Sequence, residues 1–264
     1  MENVLLSASH LKKEYRLDKR STVRAVDDVS LDIIKGETLA VVGESGCGKS
    51  TLARLMMRLI PADGGSISFE GRDITGLSEK ELLPYRKKMQ MVFQDPASSL
   101  DPHMKVRDII AEPLRAWHVY ETKSQTDDRI LELLDMVELN EDCLDRYPYR
   151  FSGGQKQRIG IARAIAVMPK LLVCDESVSA LDVCVQAQIL NLLKKLKQQL
   201  GLTCLFISHD LSVVRFIADR VCVMKDGKIC ELADADRLYG NPSHEYTKYL
   251  LSSVPDMSRI RLDR

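Results

Sequence analysis

The sequence predicts an α/β fold, with a parallel sheet covered by helices and a helical segment inserted into the chain. Three observations support this class. Strand-like and helix-like apolar patterns alternate between residues 171 and 224, an order typical of parallel sheets with helical connections. Residues 105–144 show helical periodicity and no strand pattern, as in Ile130–Val137. Residues 1–93 are instead rich in strand candidates.

The first part of the chain, residues 1–93, contains one strong helix candidate, Ser50–Leu59, among several apolar strand candidates. The strand candidates are Val29–Ile34, Thr38–Val42, Ser66–Phe69 and Met89–Phe93. Ser78 and Glu81 have the spacing of a capping box, which predicts a second helix. We expect Pro84 to end that helix early, because proline lacks the N–H group of an interior helical residue.

The helical insertion begins near Gln94, and the second half of the core follows it. A helix is expected after Phe151 and through Val167. The later elements are the strand Leu171–Cys174, the helix Val183–Leu200, the strand Cys204–Ile207, the helix Leu211–Ala218 and the strand Val221–Met224. The predicted organisation is therefore a core of residues 1–93 and 159–233, a helical subdomain of residues 94–158, and a short C-terminal appendage of residues 234–264.

Composition limits the functional classes. Hydrophobic residues make up 45% of the 264 residues, enough for a large core. The formal net charge is zero, which argues against nucleic-acid binding, since such proteins are commonly basic. No apolar run reaches the length of a membrane span, and Met1-Glu-Asn-Val lacks signal-peptide features. The seven cysteines have no C-x-x-C spacing and several lie in apolar runs, which predicts buried, reduced thiols in the cytosol.

The segment Gly43–Thr51, GESGCGKST, matches the pattern of a phosphate-binding loop. It follows a predicted strand and opens a predicted helix, which is the context this chemistry requires. Its glycines let backbone N–H groups point into one concavity, and the helix N-terminus adds partial positive charge. We expect Lys49 to contact the β- and γ-phosphates of ATP, and Ser50 to bind Mg²⁺. The expected nucleotide contacts here are Gly43, Glu44, Ser45, Gly46, Cys47, Gly48, Lys49, Ser50 and Thr51.

Two carboxylates follow the apolar strand Leu171–Cys174. Asp175 is expected to bind Mg²⁺ through water, and Glu176 to polarise the attacking water. Gln94 ends another strand, and its amide is expected to contact Mg²⁺ or that water; a solvated turn glutamine is the alternative. His209 follows a third strand and is expected to donate a hydrogen bond to the γ-phosphate, with a structural histidine as the alternative.

A second glycine-containing helix start, Phe151-Ser-Gly-Gly-Gln155, has a suitable N-cap serine and two glycines that expose N–H groups to an anion. Because the predicted core has one nucleotide site, we expect this segment to cover ATP held by another subunit, with Asp182 near the same interface. An ordinary helix cap is the alternative. The expected contacts are Ser152, Gly153, Gly154 and Gln155. Tyr15 is expected to stack on adenine; a plain strand aromatic is the alternative.

The motifs in this order resemble those of the ATP-binding cassette (ABC) ATPases, over about residues 4–235. They are Gly43–Thr51, Gln94, Phe151–Gln155, Asp175-Glu176, Ser179–Asp182 and His209. The resemblance implies a RecA-like P-loop core, an N-terminal antiparallel β region and an inserted helical subdomain. It also implies two cassettes enclosing two ATP molecules head to tail, each phosphate loop facing the other subunit's signature segment. ATP binding would close this dimer and hydrolysis would reopen it.

A narrower set of segments looks like the cassettes of oligopeptide, dipeptide and nickel uptake, in particular the second, F-type cassette. These segments are Val92–Pro102, Ala111–Leu114, Gln155–Ala164, Ser179–Val183 and Asn241–Thr247. The resemblance implies a second homologous cassette, commonly a different chain, and two transmembrane permease subunits. It implies an extracellular or periplasmic solute-binding protein as an indirect partner, a place on the cytoplasmic face of the membrane, and no nucleic acid.

The expected function is therefore ATP hydrolysis that drives import of oligopeptides or dipeptides. A nickel or other metal-complex importer is the alternative, which the short end after Val254 favours; the absence of tail cysteines there predicts no iron–sulfur cluster. A soluble cassette acting on nucleic acid or ribosomes fits poorly with one cassette and neutral charge. An exporter or lipoprotein-release cassette fits poorly with Asn241–Thr247. Ser177-Val178 replaces the commoner Pro-Thr, and this departure removes no catalytic group.

Overall fold

A computed structural model describes residues 3–16 and 22–253. The strands are β1 (Val4–Arg16), β2 (Thr22–Ile34), β3 (Thr38–Val42), β4 (Gly64–Phe69), β5 (Arg72–Asp73), β6 (Met89–Val92), β7 (Leu171–Asp175), β8 (Thr203–Ile207), β9 (Arg220–Lys225) and β10 (Lys228–Asp234). The helices are α1 (Lys49–Met56), α2 (Glu79–Lys88), α3 (Pro96–Ser99), α4 (Val106–Ala116), α5 (Lys123–Met136), α6 (Gly153–Ile165), α7 (Val183–Leu200), α8 (Leu211–Ile217), α9 (Ala235–Gly240) and α10 (Glu245–Ser252). Short 3₁₀ turns occupy Glu141–Cys143 and Pro148–Arg150.

The chain forms two compact units, one of Met1–Gly76 with Leu205–Arg264 and one of Leu77–Cys204. The domain boundaries predicted at residues 94 and 158 remain a prediction. The expectations about the tail after Val254 lie outside the described residues.

The first unit contains an antiparallel sheet and parallel strands. The antiparallel sheet has the order β2-β1-β4-β5, which confirms the expected N-terminal antiparallel region. The other strands follow the order β10-β9-β3-β8, in which β3 is parallel to β9 and Val41 lies opposite Cys222. Every residue of β3 is buried, as expected for a parallel strand that is covered on both faces. The end of β3 is therefore a fixed point from which the next loop starts.

The second unit combines a parallel strand pair with the predicted helices. β6 is parallel to β7, with Val92 opposite Cys174. Between these strands in sequence come α4, α5 and α6, whose inward faces include the fully buried Ile110, Leu133 and Ile161. The helices α4 and α5 confirm the helical pattern predicted within residues 105–144, and no strand lies in that range.

Pro84 does not end its helix, so that prediction is wrong. α2 continues to Lys88 with Pro84 inside it. The capping box at its start is complete, with Ser78 accepting from the Glu81 N–H group and Glu81 accepting from the Ser78 N–H group. Buried Leu82 and Tyr85 hold the helix on the unit. One missing backbone hydrogen bond is outweighed by this cap and packing.

Three further expectations differ from the structure. β10 was not among the predicted strands, and β2 begins well before Val29. Both strands carry exposed polar residues, which hide the apolar pattern. Cys184 on α7 is exposed and Cys230 on β10 is partly exposed, whereas the other cysteines are buried as expected. Within the described residues, no helix is both long and apolar enough to cross a membrane.

Candidate functional site

The segment Gly43–Lys49 links the buried end of β3 to the start of α1 and forms a loop that lies against backbone. A Cβ atom at Gly43 would come within 2.2 Å of the Met224 carbonyl oxygen, and one at Gly48 within 2.0 Å of the Ala25 carbonyl oxygen. Gly48 also has a φ of 106°, which favours glycine. These two positions require glycine, because any side chain would push the loop off its support.

The hairpin between β9 and β10 supports the other side of the loop. The Gly227 N–H group donates to the Cys47 carbonyl oxygen at 3.0 Å. Burial raises the pKa of the Cys47 thiol, which the neighbouring Lys49 charge only partly opposes. Cys47 therefore packs beneath the loop as a neutral thiol.

Lys49 is 4% exposed and is held inside the loop. Its Nζ atom donates to the carbonyl oxygens of Gly43 at 2.9 Å and Glu44 at 2.8 Å. A buried ammonium group needs such acceptors, since burial without them is costly. The lysine is therefore aimed at the inside of the loop, where phosphate oxygens offer stronger acceptors than neutral carbonyls.

The start of α1 is suited to an anion. Gly48 is its N-cap, and no side chain caps this helix in the described part of the chain. The first N–H groups of any α-helix have no acceptor in a preceding turn of that helix, and the helix dipole adds partial positive charge there. Ser50 lies in this first turn and is partly exposed. Together with the glycine contacts, these features fit the triphosphate of a nucleotide.

In the second unit, the predicted carboxylates lie at the end of β7. Asp175 is 4% exposed, and Glu176 follows it with a φ of 47°, in the left-handed region that non-glycine residues rarely adopt. The Gln94 Nε2 atom donates to the Glu176 Oε2 atom at 2.9 Å. The structure thus brings Gln94 and Glu176 together, because the parallel pairing of Val92 with Cys174 sends both chains off the same edge.

The second glycine-containing helix start opens α6 through a complete capping box. Ser152 Oγ accepts from the Gln155 N–H group at 3.3 Å, and Gln155 Oε1 accepts from the Ser152 N–H group at 3.1 Å. A Cβ atom at Gly154 would come within 2.4 Å of Val185 Cγ1, whereas one at Gly153 would meet only Leu181 Cδ2 at 3.2 Å. The capping box therefore explains why glutamine stands at position 155, and the close approach of Val185 explains why glycine stands at position 154. The sequence reasoning foresaw neither contact.

The remaining predicted residues lie in varied surroundings. Asp182 is the N-cap of α7, where its Oδ1 atom accepts from the Val185 N–H group at 3.0 Å. His209 is exposed just beyond β8, and the next residue, Asp210, caps α8. Tyr15 lies in β1 with its ring exposed and the Lys13 Nζ atom 5.7 Å from the ring centroid. Their roles toward a nucleotide remain predictions.

One contact to the phosphate loop was missed by the sequence reasoning. The Glu44 N–H group donates to the Tyr246 Oη atom at 3.4 Å. Tyr246 belongs to the stretch Asn241–Thr247, which the sequence analysis used only as a family marker. That stretch was the one signal in the sequence that pointed to Tyr246. Nothing in its local pattern indicates that the tyrosine contacts Glu44, which lies 202 residues earlier.

Comparisons with known proteins identify the family of the chain. The family profile described as ABC transporter matches residues 26–179. The oligopeptide transport ATP-binding protein OppF of Bacillus subtilis is 54% identical, over 97% of this chain and 84% of that protein. The dipeptide transport ATP-binding protein DppF of Lactococcus lactis is 49% identical, over 97% of this chain and 83% of that protein.

Solved structures show the same fold. The ATP-binding cassette MJ0796, a dimer in a post-hydrolysis state bound to ADP and Pi, superposes with a TM-score of 0.79 at 31% identity, covering 88% of this chain and 99% of that one. The cbiO1 protein of Clostridium perfringens, part of the ABC transporter complex cbiONQ, superposes with a TM-score of 0.80 at 26% identity, over 91% and 92% of the two chains. The chain therefore belongs to the ABC transporter family and is an ATPase of that family.

Proposed function

We propose that this chain hydrolyses ATP to drive the import of oligopeptides or dipeptides through membrane subunits. The observation that carries the ATPase part is the glycine-lined loop with Lys49 aimed into it. The cargo class is supported by relatives such as OppF and DppF, which match nearly the whole chain and are named for peptide transport.

The phosphate loop is proposed to bind ATP through its main chain. The N–H groups of the segment Gly43–Thr51 surround the phosphates, and Lys49 exchanges two carbonyl acceptors for phosphate oxygens. A bound Mg²⁺ ion would offset charge on the phosphates. Ser50, Asp175 and Gln94 are its proposed ligands, and their hydroxyl, carboxylate and amide oxygens are of the type that Mg²⁺ prefers. Tyr15 is proposed to stack on adenine.

The hydrolytic step is assigned to Glu176. Its carboxylate polarises the attacking water as a general base. The hydrogen bond from Gln94 fixes the direction of that carboxylate. His209 is proposed to donate a hydrogen bond to the γ-phosphate, which stabilises charge there in the transition state. Because Gln94 is hydrogen-bonded to Glu176, a shift of the Glu176 carboxylate on ATP binding or hydrolysis would also move the loop after β6.

The family assignment supports the proposed partners. We infer that a second cassette, identical or different, presents its own signature segment to ATP bound here, while Ser152–Gln155 and Asp182 serve the partner's nucleotide. Two transmembrane permease subunits hold the cassettes at the cytoplasmic face of the membrane. An external solute-binding protein delivers cargo without touching this chain.

Affinity purification from native membranes tests this function. The tagged full chain is solubilised with its membranes, and copurifying proteins are identified by mass spectrometry. We expect two multi-span subunits, a second cassette and a peptide-type binding protein. A binding protein for nickel or another metal complex would replace the cargo class but keep the ATPase role. Recovery with ribosomes or nucleic acid alone would contradict the transporter role.

A further inference from the structure

The C-terminal helix α10 contacts the phosphate loop through one side chain. Tyr246 is buried, with 7% of the residue exposed, and its hydroxyl oxygen accepts from the Glu44 N–H group at 3.4 Å. The Glu44 carbonyl oxygen accepts from Lys49 Nζ at 2.8 Å. The two peptide groups that flank the Glu44 Cα atom are therefore both held, one by the helix and one by the lysine.

The start of α10 is itself fixed by hydrogen bonds. Glu231 on β10 accepts from the Ser243 N–H group at 2.8 Å and from the His244 N–H group at 3.0 Å. His244 Nδ1 then accepts from the Tyr246 N–H group at 3.0 Å, which caps the helix. These contacts fix the first turn of α10, and so the direction in which Tyr246 extends toward the loop.

The ring of Tyr246 is clamped beside the loop as well. The Lys225 Nζ atom lies 4.7 Å from its centroid, within the range of a cation–π interaction. Lys225 follows Met224, whose carbonyl oxygen lies against Gly43. Burial raises the pKa of Tyr246 to about 12, so its hydroxyl stays neutral at physiological pH. The neutral hydroxyl keeps a lone pair that accepts from the Glu44 N–H group.

We propose that Tyr246 is a positioning residue for ATP binding, which holds the phosphate loop in its binding conformation through Glu44. The inference rests on the proposed role of that loop. Without the hydroxyl, the Glu44 peptide group loses an anchor, and the loop samples more conformations before nucleotide binds. ATP binding must then order the loop, and the entropic cost of that ordering lowers the affinity for ATP. The cost is the same in the ground state and in the transition state.

The test is ATP affinity in the full chain carrying Tyr246→Phe. This change keeps the ring and its packing but removes the hydroxyl. We expect the Kd for ATP, measured by isothermal titration calorimetry, to rise about three- to tenfold, the usual effect of one hydrogen bond. In the membrane complex, the KM for ATP should rise in step while kcat is unchanged, a split that general destabilisation does not produce.

Tyr239→Phe is the matched control. Tyr239 lies in the same unit, and its hydroxyl donates to the Leu211 carbonyl oxygen rather than to the loop. It should lower the melting temperature about as much as Tyr246→Phe but leave the Kd unchanged. Glu231→Ala, which frees the start of α10, should raise the Kd in the same direction as Tyr246→Phe. Lys49→Ala should abolish ATP binding.

Three results would overturn the inference. An unchanged Kd in Tyr246→Phe, with binding lost in Lys49→Ala, refutes the positioning role and leaves the loop assignment standing. An equal rise in Tyr239→Phe attributes the effect to general loss of stability. Normal affinity in Lys49→Ala refutes the proposed loop function, and the inference with it.

Discussion

The phosphate loop and the start of α6 are both glycine-containing helix starts, but they are built by different means. The loop is shaped by main chain: its glycines lie against the carbonyl oxygens of Met224 and Ala25, and no side chain caps α1 in the described residues. The start of α6 is shaped by side chains, with a complete capping box between Ser152 and Gln155. The first can offer N–H groups to a ligand, whereas the second has already used part of its capacity within the chain.

This difference extends to the rest of each unit. In the proposed function, the first unit binds ATP through backbone and one buried lysine, while the second arranges side-chain chemistry, such as the hydrogen bond from Gln94 to Glu176. We therefore expect backbone changes in the loop to remove binding and stability together. We expect side-chain changes in the second unit to alter turnover while affinity is kept.

The largest expected effect is on turnover, from Glu176→Gln. Removing the proposed general base should lower kcat about 10²- to 10⁴-fold, while ATP binding is kept. The amide oxygen can still accept from Gln94, so the local geometry is kept. Steady-state ATPase assays and equilibrium binding on the same preparation check both parts. The closed dimer with trapped ATP should then be visible by size-exclusion chromatography.

Unchanged turnover in Glu176→Gln would remove this residue from its assigned role. A parallel loss of affinity would instead show that the second unit also contributes to binding, and the contrast between the units would fail.

A smaller effect is expected on stability, from one methyl group placed in each region. Gly48→Ala should lower the free energy of unfolding by about 3 kcal/mol, because its Cβ clashes with a carbonyl oxygen and its φ is positive. Gly153→Ala should change it by less than about 0.5 kcal/mol, since its Cβ meets only a movable leucine methyl group. Chemical denaturation of both variants measures the difference. Equal losses would contradict the distinction between backbone and side-chain construction.

The smallest expected effect, about that of one helix cap, tests whether the start of α6 covers a partner's nucleotide or is only a helix cap. Ser152→Ala and Ser78→Ala each remove a capping-box serine, and each should cost about 1 kcal/mol of stability. If the α6 start covers a partner's nucleotide, only Ser152→Ala should also lower turnover in the assembled membrane complex. Equal turnover in the two variants would favour the ordinary-cap interpretation.

Elements with a continuous local pattern could be predicted from the sequence. Thr38–Val42 is apolar throughout and buried throughout, so its pattern and its environment agree. β10 is half-exposed and mixes charged with apolar residues, so its pairing with β9 decides its conformation. The prediction that Pro84 ends its helix was wrong because tertiary packing of Leu82 and Tyr85 outweighs one lost hydrogen bond.

The site divides in the same way. The phosphate loop is a contiguous motif, so its chemistry could be read along the chain. The contact of Gln94 with Glu176 depends on the register between β6 and β7, and that of Tyr246 with Glu44 depends on how α10 docks. Neither partner choice is encoded locally. The glycines at the start of α6 looked functional in sequence, yet Gly154 is also required by its contact with Val185.

The left-handed backbone of Glu176 makes this position selective for more than charge. A β-branched residue is excluded there, and a shorter carboxylate would not extend as far toward Gln94. Glycine would relieve strain of about 1 kcal/mol while deleting the proposed general base. Stability therefore favours glycine at position 176, whereas activity favours glutamate. A lineage released from selection for hydrolysis could drift to a silent cassette that folds better than its active ancestor.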